Sequence, residues 1–363
     1  MSRPGYYAQY ARIGSWLALV APLIACSDAK PRAARDASVE ASTSDLVESP
    51  EIECGACHEQ HVQQWRISSH AYALKDPVFR AMVQLGQKET HGVLGPFCVA
   101  CHSPIGNLTG QTKVTRDPAS GEFSQNLTEL DAHAQAGVTC RACHGISRVN
   151  IVGNAGFELK LDRVRRGPID LAMQTPAHSS EYSPLFEDTE LCGTCHVVVN
   201  QKNAVIERTH IEWVRSEFNG QRSCQDCHMP SSKGPAARGG PERTLHDHRF
   251  VGVDVSLLGE DEFPGYAELR EKTEQLLRES AKLTLKTVAS ERQVKVDIQN
   301  LAGHALPSGA TADRELWVEL IVRDAQGKAV FESGTLDERG DLRTAHAERT
   351  TQPGSDPQLV LYT

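Results

Sequence analysis

Residues 54–58 read CGACH, and the same five-residue phrase returns as CVACH at 98–102, CRACH at 140–144, CGTCH at 192–196 and CQDCH at 224–228. With 11 cysteines and 15 histidines in 363 residues, chance supplies on the order of 0.01 such phrases in a chain of this length. Five copies therefore encode one chemistry used five times. Two thiols separated by two residues reach the two vinyl groups on one edge of a porphyrin, and the adjacent histidine is carried under the ring as an axial iron ligand. Cys54, Cys57, Cys98, Cys101, Cys140, Cys143, Cys192, Cys195, Cys224 and Cys227 are thus expected to hold five covalent haem c groups, with His58, His102, His144, His196 and His228 as proximal ligands. Structural zinc would combine such pairs two at a time. Five pairs do not divide that way, and neither zinc nor disulfide bonding explains a histidine after every pair.

From Cys54 to His228 the chain has 175 residues, or 35 for each of five haems, too few to wrap every porphyrin separately. The haems are expected to pack on one another and to supply the apolar interior that a 39% hydrophobic, 6% aromatic chain lacks. The fold class that follows is mainly α, with short helices and loops around a packed array of five haems, plus a small C-terminal antiparallel β module. Without haem the chain should be largely unstructured, as metal-dependent small domains are without metal.

Ten histidines remain for the opposite iron faces: His61, His70, His91, His133, His178, His210, His246, His248, His304 and His346. Methionine is scarce, since after Met1 only Met82, Met173 and Met229 occur, so coordination by two histidines is the expectation. The favoured distal ligands are His70, which opens a helix read from 70 to 88, His178 in TPAH, His248 in HDHRF, and His304 in the turn-rich GHALPSG at 303–309. His133 and His210 compete for the fifth place. His61, His91 and His346 read as surface residues.

Cys54 through Cys57-His58, Trp65, Ser69-His70 and Asp76-Pro77-Val78-Phe79 resemble the first haem segment of multihaem cytochromes c of the cytochrome c-554 and hydroxylamine-oxidoreductase kind. Glu212-Trp213 with Ser216, and the run from Cys224 to Met229-Pro230, are similar as well. The resemblance covers roughly residues 51–255, and Gly303 to Gly309 followed by Arg314-Glu315-Leu316-Trp317 resembles a C-terminal module of many such cytochromes. It implies closely spaced haems in parallel-stacked and roughly perpendicular pairs. Some relatives keep one iron five-coordinate for chemistry on nitrogen or sulfur oxyanions, while others only carry electrons. The C-x-x-C-K variant that marks pentahaem ammonia-forming nitrite reductases does not occur here.

At the N-terminus, Arg3 and Arg12 precede the apolar run 13–25 (IGSWLALVAPLIA), too short to span a bilayer and of signal-peptide length. It ends on Leu23-Ile24-Ala25-Cys26, which resembles a bacterial lipobox, with Cys26 as the lipidated residue. Ser27 rather than Asp follows, which by that resemblance favours the outer membrane. Residues 26–50 are rich in Ala, Ser, Asp and Glu and read as a flexible tether. The formal charge is -9, and removal of residues 1–25 with their two arginines leaves -11. That acidity speaks against a nucleic-acid partner.

The domain reading is therefore 1–25 signal, 26–50 tether, 51–255 pentahaem domain, 256–284 linking helix and 285–363 β module. The linking helix is read at Pro264 to Lys282, and strands at 283–288, 293–298, 315–322 and 328–333, with Asp-Ala-Gln-Gly as a hairpin turn. The strand-like ending LVLYT suggests that the module continues beyond residue 363. The expected function is electron transfer along a haem chain in periplasmic or outer-membrane respiration. Its partners would be redox proteins, either donor and acceptor cytochromes or a quinol-oxidising complex, with the membrane reached through the lipid anchor. The alternative is a haem-dependent oxidoreductase of small nitrogen or sulfur compounds with one open iron. No separate catalytic constellation is visible.

Overall fold

The computed structural model describes residues 49–343 except 171–174, 176, 292, 310–313 and 339, together with 356 and 358–362. The signal-like run 1–25, Cys26 and nearly all of the 26–50 tether lie outside the described residues, as do Met173 and His346.

The expectation of a mainly α chain is corrected by the structure, which is 29% helix and 23% strand. Ten of the strands lie between residues 114 and 246, inside the segment read as helices and loops. They form two-stranded ribbons, antiparallel except for Val164–Gly167 beside Ser179–Tyr182, which is parallel. Most of these strands are two to four residues long, too short to show the alternation by which a strand is read from sequence. Their physical role is to return the chain to the C-x-x-C-H turns rather than to build a sheet of their own.

Helices in the same segment are mostly single turns. The helix read from 70 to 88 is two, Ser69–Tyr72 and Pro77–Glu89. Pro77 has no N–H to donate backwards, and Asp76 Oδ1 accepts from Val78 N at 2.7 Å and Phe79 N at 3.3 Å, so a new helix starts there. The linking helix runs Tyr266–Ser280 and leads directly into a long hairpin, Ala281–Val288 paired with Gln293–Asn300. Asp324 Oδ1 closes the next turn by accepting from Gln326 N and Lys328 N at 2.9 Å each, with Gly327 at φ 84°. Among the described residues the strands of the C-terminal module pair as separate two-stranded ribbons.

Apolar packing is divided among small clusters of buried residues. One joins Ile105, Ala142, Ile146 and Leu159, another Leu74, Val83, Val99 and Leu127, and a third ties Tyr72 to Phe263 and Leu269 on the linking helix. Such clusters are too small to hold 300 residues by themselves. Two of them include residues of the second and third C-x-x-C-H turns, Val99 and Ala142.

Candidate functional site

Each C-x-x-C-H phrase folds as a helical turn, which brings residues i, i+3 and i+4 to one face. The turns are closed by His58 N to Cys54 O at 2.8 Å, His102 N to Cys98 O at 3.2 Å and His196 N to Cys192 O at 2.9 Å, with short helices at Cys140–Gly145 and Cys224–His228. Thr139 and Ser223 cap the latter two by accepting from the third residue on. None of the ten cysteines is joined to another as a disulfide, and Cys57 and Cys227 are exposed.

Four proximal imidazoles are oriented by backbone carbonyls brought in from distant segments. Their Nδ1 atoms lie at 2.7 Å from Ala236 O for His58, 3.0 Å from Ala73 O for His102, 2.5 Å from Arg166 O for His144 and 2.6 Å from Val251 O for His228. With Nδ1–H donating there, Nε2 is left as the metal-facing nitrogen. Ala236 stands in the turn of the 231–246 hairpin and Arg166 on a short strand, so the ribbons supply two of these four acceptors.

Whether these residues fit haem can be tested on the spacing of imidazoles. An iron–imidazole bond of about 2 Å, with the ring centre about 1.2 Å behind its nitrogen, places two imidazoles on opposite faces of one iron about 6.4 Å apart between centroids. The structure contains His58–His178 at 6.2 Å, His70–His196 at 6.4 Å, His144–His248 at 6.4 Å and His228–His304 at 6.3 Å. Each couples one C-x-x-C-H histidine to one outside the motifs. His61 is also 6.2 Å from His58, at 86°, but three residues of chain are too short to pass around a porphyrin edge. Burial pushes the pKa of His70 and of His248 down to about 3, and lowers those of His144, His196, His228 and His178 as well, which keeps them neutral, the form that binds metal. Among the described residues no group of three or more His, Cys, Asp or Glu stands close enough together to hold a bare metal ion.

His102 is different. Its ring neighbour is Phe79, stacked at 3.9 Å and 10°, and no imidazole among the described residues stands opposite it. His133 and His210, the two candidates for the fifth distal place, are engaged elsewhere. His133 is fully buried with Nε2 2.9 Å from Glu53 Oε2, and His210 Nε2 lies 3.2 Å from Thr189 Oγ1 while its ring covers Gly193 of the fourth motif. His61, expected at the surface, is half-buried, 4.8 Å from the His248 ring, with Nδ1 shut off from solvent and unpartnered. His91 is exposed, as read. His246 Nδ1 lies 3.0 Å from Met229 O.

Contacts among the cysteines bring the motifs together in pairs. The Cys54 side chain lies against Cys140, Cys101 against Cys195, and Cys192 against Cys224. Phe250 supplies a further connection, its ring 4.5 Å from His70 and 5.5 Å from His248. The carbonyl acceptors belong to no motif, and Phe79 and Phe250, although they stand in Asp76-Pro77-Val78-Phe79 and HDHRF, carry no sequence signal of their ring contacts.

Residues 63–220 match the family model of cytochrome c552. A penta-haem cytochrome c552 from Thermochromatium tepidum has a similar fold, with a TM-score of 0.58 and 22% sequence identity over 87% of each chain. No curated protein matches.

Proposed function

We propose that this chain is a multihaem c-type cytochrome whose five covalently bound haems form a branched electron relay, with one iron open to a small ligand. Each bound haem supplies an iron that changes by one electron between ferric and ferrous. The chain's residues set the order in which those centres meet. Cys54 against Cys140 joins the first motif to the third, Phe250 between His248 and His70 joins the third to the fourth, and Cys192 against Cys224 joins the fourth to the fifth. Cys101 against Cys195 attaches the second motif to the fourth as a side branch. The two exposed thiols, Cys57 and Cys227, belong to the ends of the line, where redox protein partners would exchange electrons.

The observation that carries this reading is the set of four histidine pairs at 6.2–6.4 Å. At each of these four centres two imidazoles would hold the iron from both sides, which suits transfer without substrate binding. Stepwise redox titration tests it: all five haems should titrate reversibly in the purified protein and pass electrons to a soluble cytochrome.

The second reading, an oxidoreductase of small nitrogen or sulfur compounds, is favoured at one place only, the iron held by His102. Nitrite, hydroxylamine or sulfite should perturb the spectrum of one haem in five. Silence with all three would leave the relay alone standing.

Export and lipidation at Cys26, with the protein held at the periplasmic face of the outer membrane or the cell surface, complete the proposal. The 13-residue apolar run and the cysteine at its end support it. Labelled fatty acid should be incorporated by the native chain and not by Cys26→Ala, which should be released in soluble form.

A further inference from the structure

We propose that Glu212 is the positioning residue that holds His304 at the fifth haem, so that one carboxylate fastens the C-terminal segment to the redox unit. The inference rests on reading His304 as the axial partner of His228, whose ring lies 6.3 Å away at an interplanar angle of 14°. His304 does not fix its own place. Its Nδ1 reaches only the neighbouring Ala305 O at 2.9 Å, and its carbonyl accepts from Asn300 Nδ2 at 2.7 Å, at the end of the strand that leads into the loop.

The loop is gripped from outside by the helix Thr209–Val214. Glu212 Oε2 accepts from Ala305 N at 3.1 Å and from Ser308 Oγ at 2.7 Å, clasping the loop on the far side of the histidine. Thr209 Oγ1 and Ser308 Oγ share a hydrogen bond at 2.8 Å. Gly303 lies so close to this helix that an added Cβ would stand 3.1 Å from Trp213 Cδ1. From the other side Arg314 donates to Ser308 O at 2.5 Å and to Asp254 Oδ2 at 2.8 Å. The same helix is tied to the fourth motif through His210 N and His196 O at 3.2 Å. A charged acceptor that satisfies two donors in a half-buried site makes stronger bonds than a neutral one and fixes direction as well. Glu212 thus sets where the His304 imidazole can stand, although it touches neither the ring nor the iron.

The test uses the five-haem protein, with haem content checked by intact mass, and compares Glu212→Ala, Glu212→Gln and His304→Ala by low-temperature EPR and redox titration. His304→Ala should turn one low-spin centre high-spin and raise its midpoint potential. Glu212→Ala should give the same new signal at partial intensity with the other histidine pairs unchanged, and Glu212→Gln, which keeps an acceptor oxygen, should restore most of the low-spin form. If His304→Ala leaves the low-spin count unchanged, the axial reading of His304 fails and the proposal with it. If His304→Ala gives the signal and Glu212→Ala does not, the proposal alone fails. Should Glu212→Ala not load five haems, Ser308→Ala replaces it, with a smaller signal of the same kind expected and its absence contrary.

Discussion

The ring of Phe250 meets the His70 imidazole edge-on, with centroids 4.5 Å apart and planes at 63°. Its other side faces His248 at 5.5 Å and 77°, so one aromatic ring touches two histidines, each of which faces a different C-x-x-C-H histidine. Phe250 holds φ at 48°, a left-handed conformation that costs a bulky residue roughly 1–2 kcal/mol. Strain of that kind persists where the surroundings over-determine a position, and here both neighbours are paired with proximal histidines.

Phe250→Leu should therefore shift the EPR signals and midpoint potentials of two low-spin haems together and slow electron exchange between them. Loss of the ring contacts should also lower stability by about 1–2 kcal/mol. A shift confined to one haem would show that Phe250 packs on a single ligand and does not connect two.

Acid stability should depend on Glu53. Burial alone would raise its pKa, but the His133 hydrogen bond and the nearby Arg141 and Arg165 more than offset this and hold it below the usual value of 4.5. A carboxylate whose pKa is lower folded than unfolded stabilises the fold above its unfolded pKa, and that contribution is lost as pH falls through the folded value. Glu53→Gln should accordingly cost about 1–2 kcal/mol near neutral pH, discounted for its partial exposure, and flatten the decline below about pH 4.5. Thermal melts across pH check this, and parallel curves for both proteins would refute it.

Gly193 lies inside the fourth C-x-x-C-H turn, where an added Cβ would stand 2.8 Å from the His210 ring and 2.9 Å from Val152 Cγ1. Gly193→Ala should cost about 1–3 kcal/mol through overpacking and lower the yield of five-haem protein. Gly252→Ala, where a Cβ meets nothing within 4 Å, is the control and should be near neutral.

How much of this was legible in the sequence differs from feature to feature. The five attachment turns could be read directly, because covalent chemistry fixes their spacing and the histidine follows within one helical turn. His70, His178, His248 and His304 were named from the sequence, and the structure sets each about one iron's width from a motif histidine. Which stands opposite which could not be read, since the pairs join residues 76 to 126 positions apart, from His228 with His304 to His70 with His196. The ribbons were missed for a related reason. A three-residue strand such as Phe123–Gln125 has no period of its own and exists because of what it pairs with. The helix expected over 70–88 was too long because the Asp76-Pro77 start signal inside it was passed over.

The iron held by His102 should bind external ligands. Carbon monoxide added to the reduced protein should bind at one site per chain, with the other four haems unaffected. Uptake by none, with all five haems loaded, would mean that a residue outside the described set fills the position.

Spin-state counting of the fully oxidised native protein, by quantitative EPR with near-infrared magnetic circular dichroism, tests the arrangement of centres most directly. Four haems with the charge-transfer band of two histidine ligands and one high-spin haem are expected. Five bis-histidine haems, or two or more high-spin haems in protein carrying all five, would contradict it.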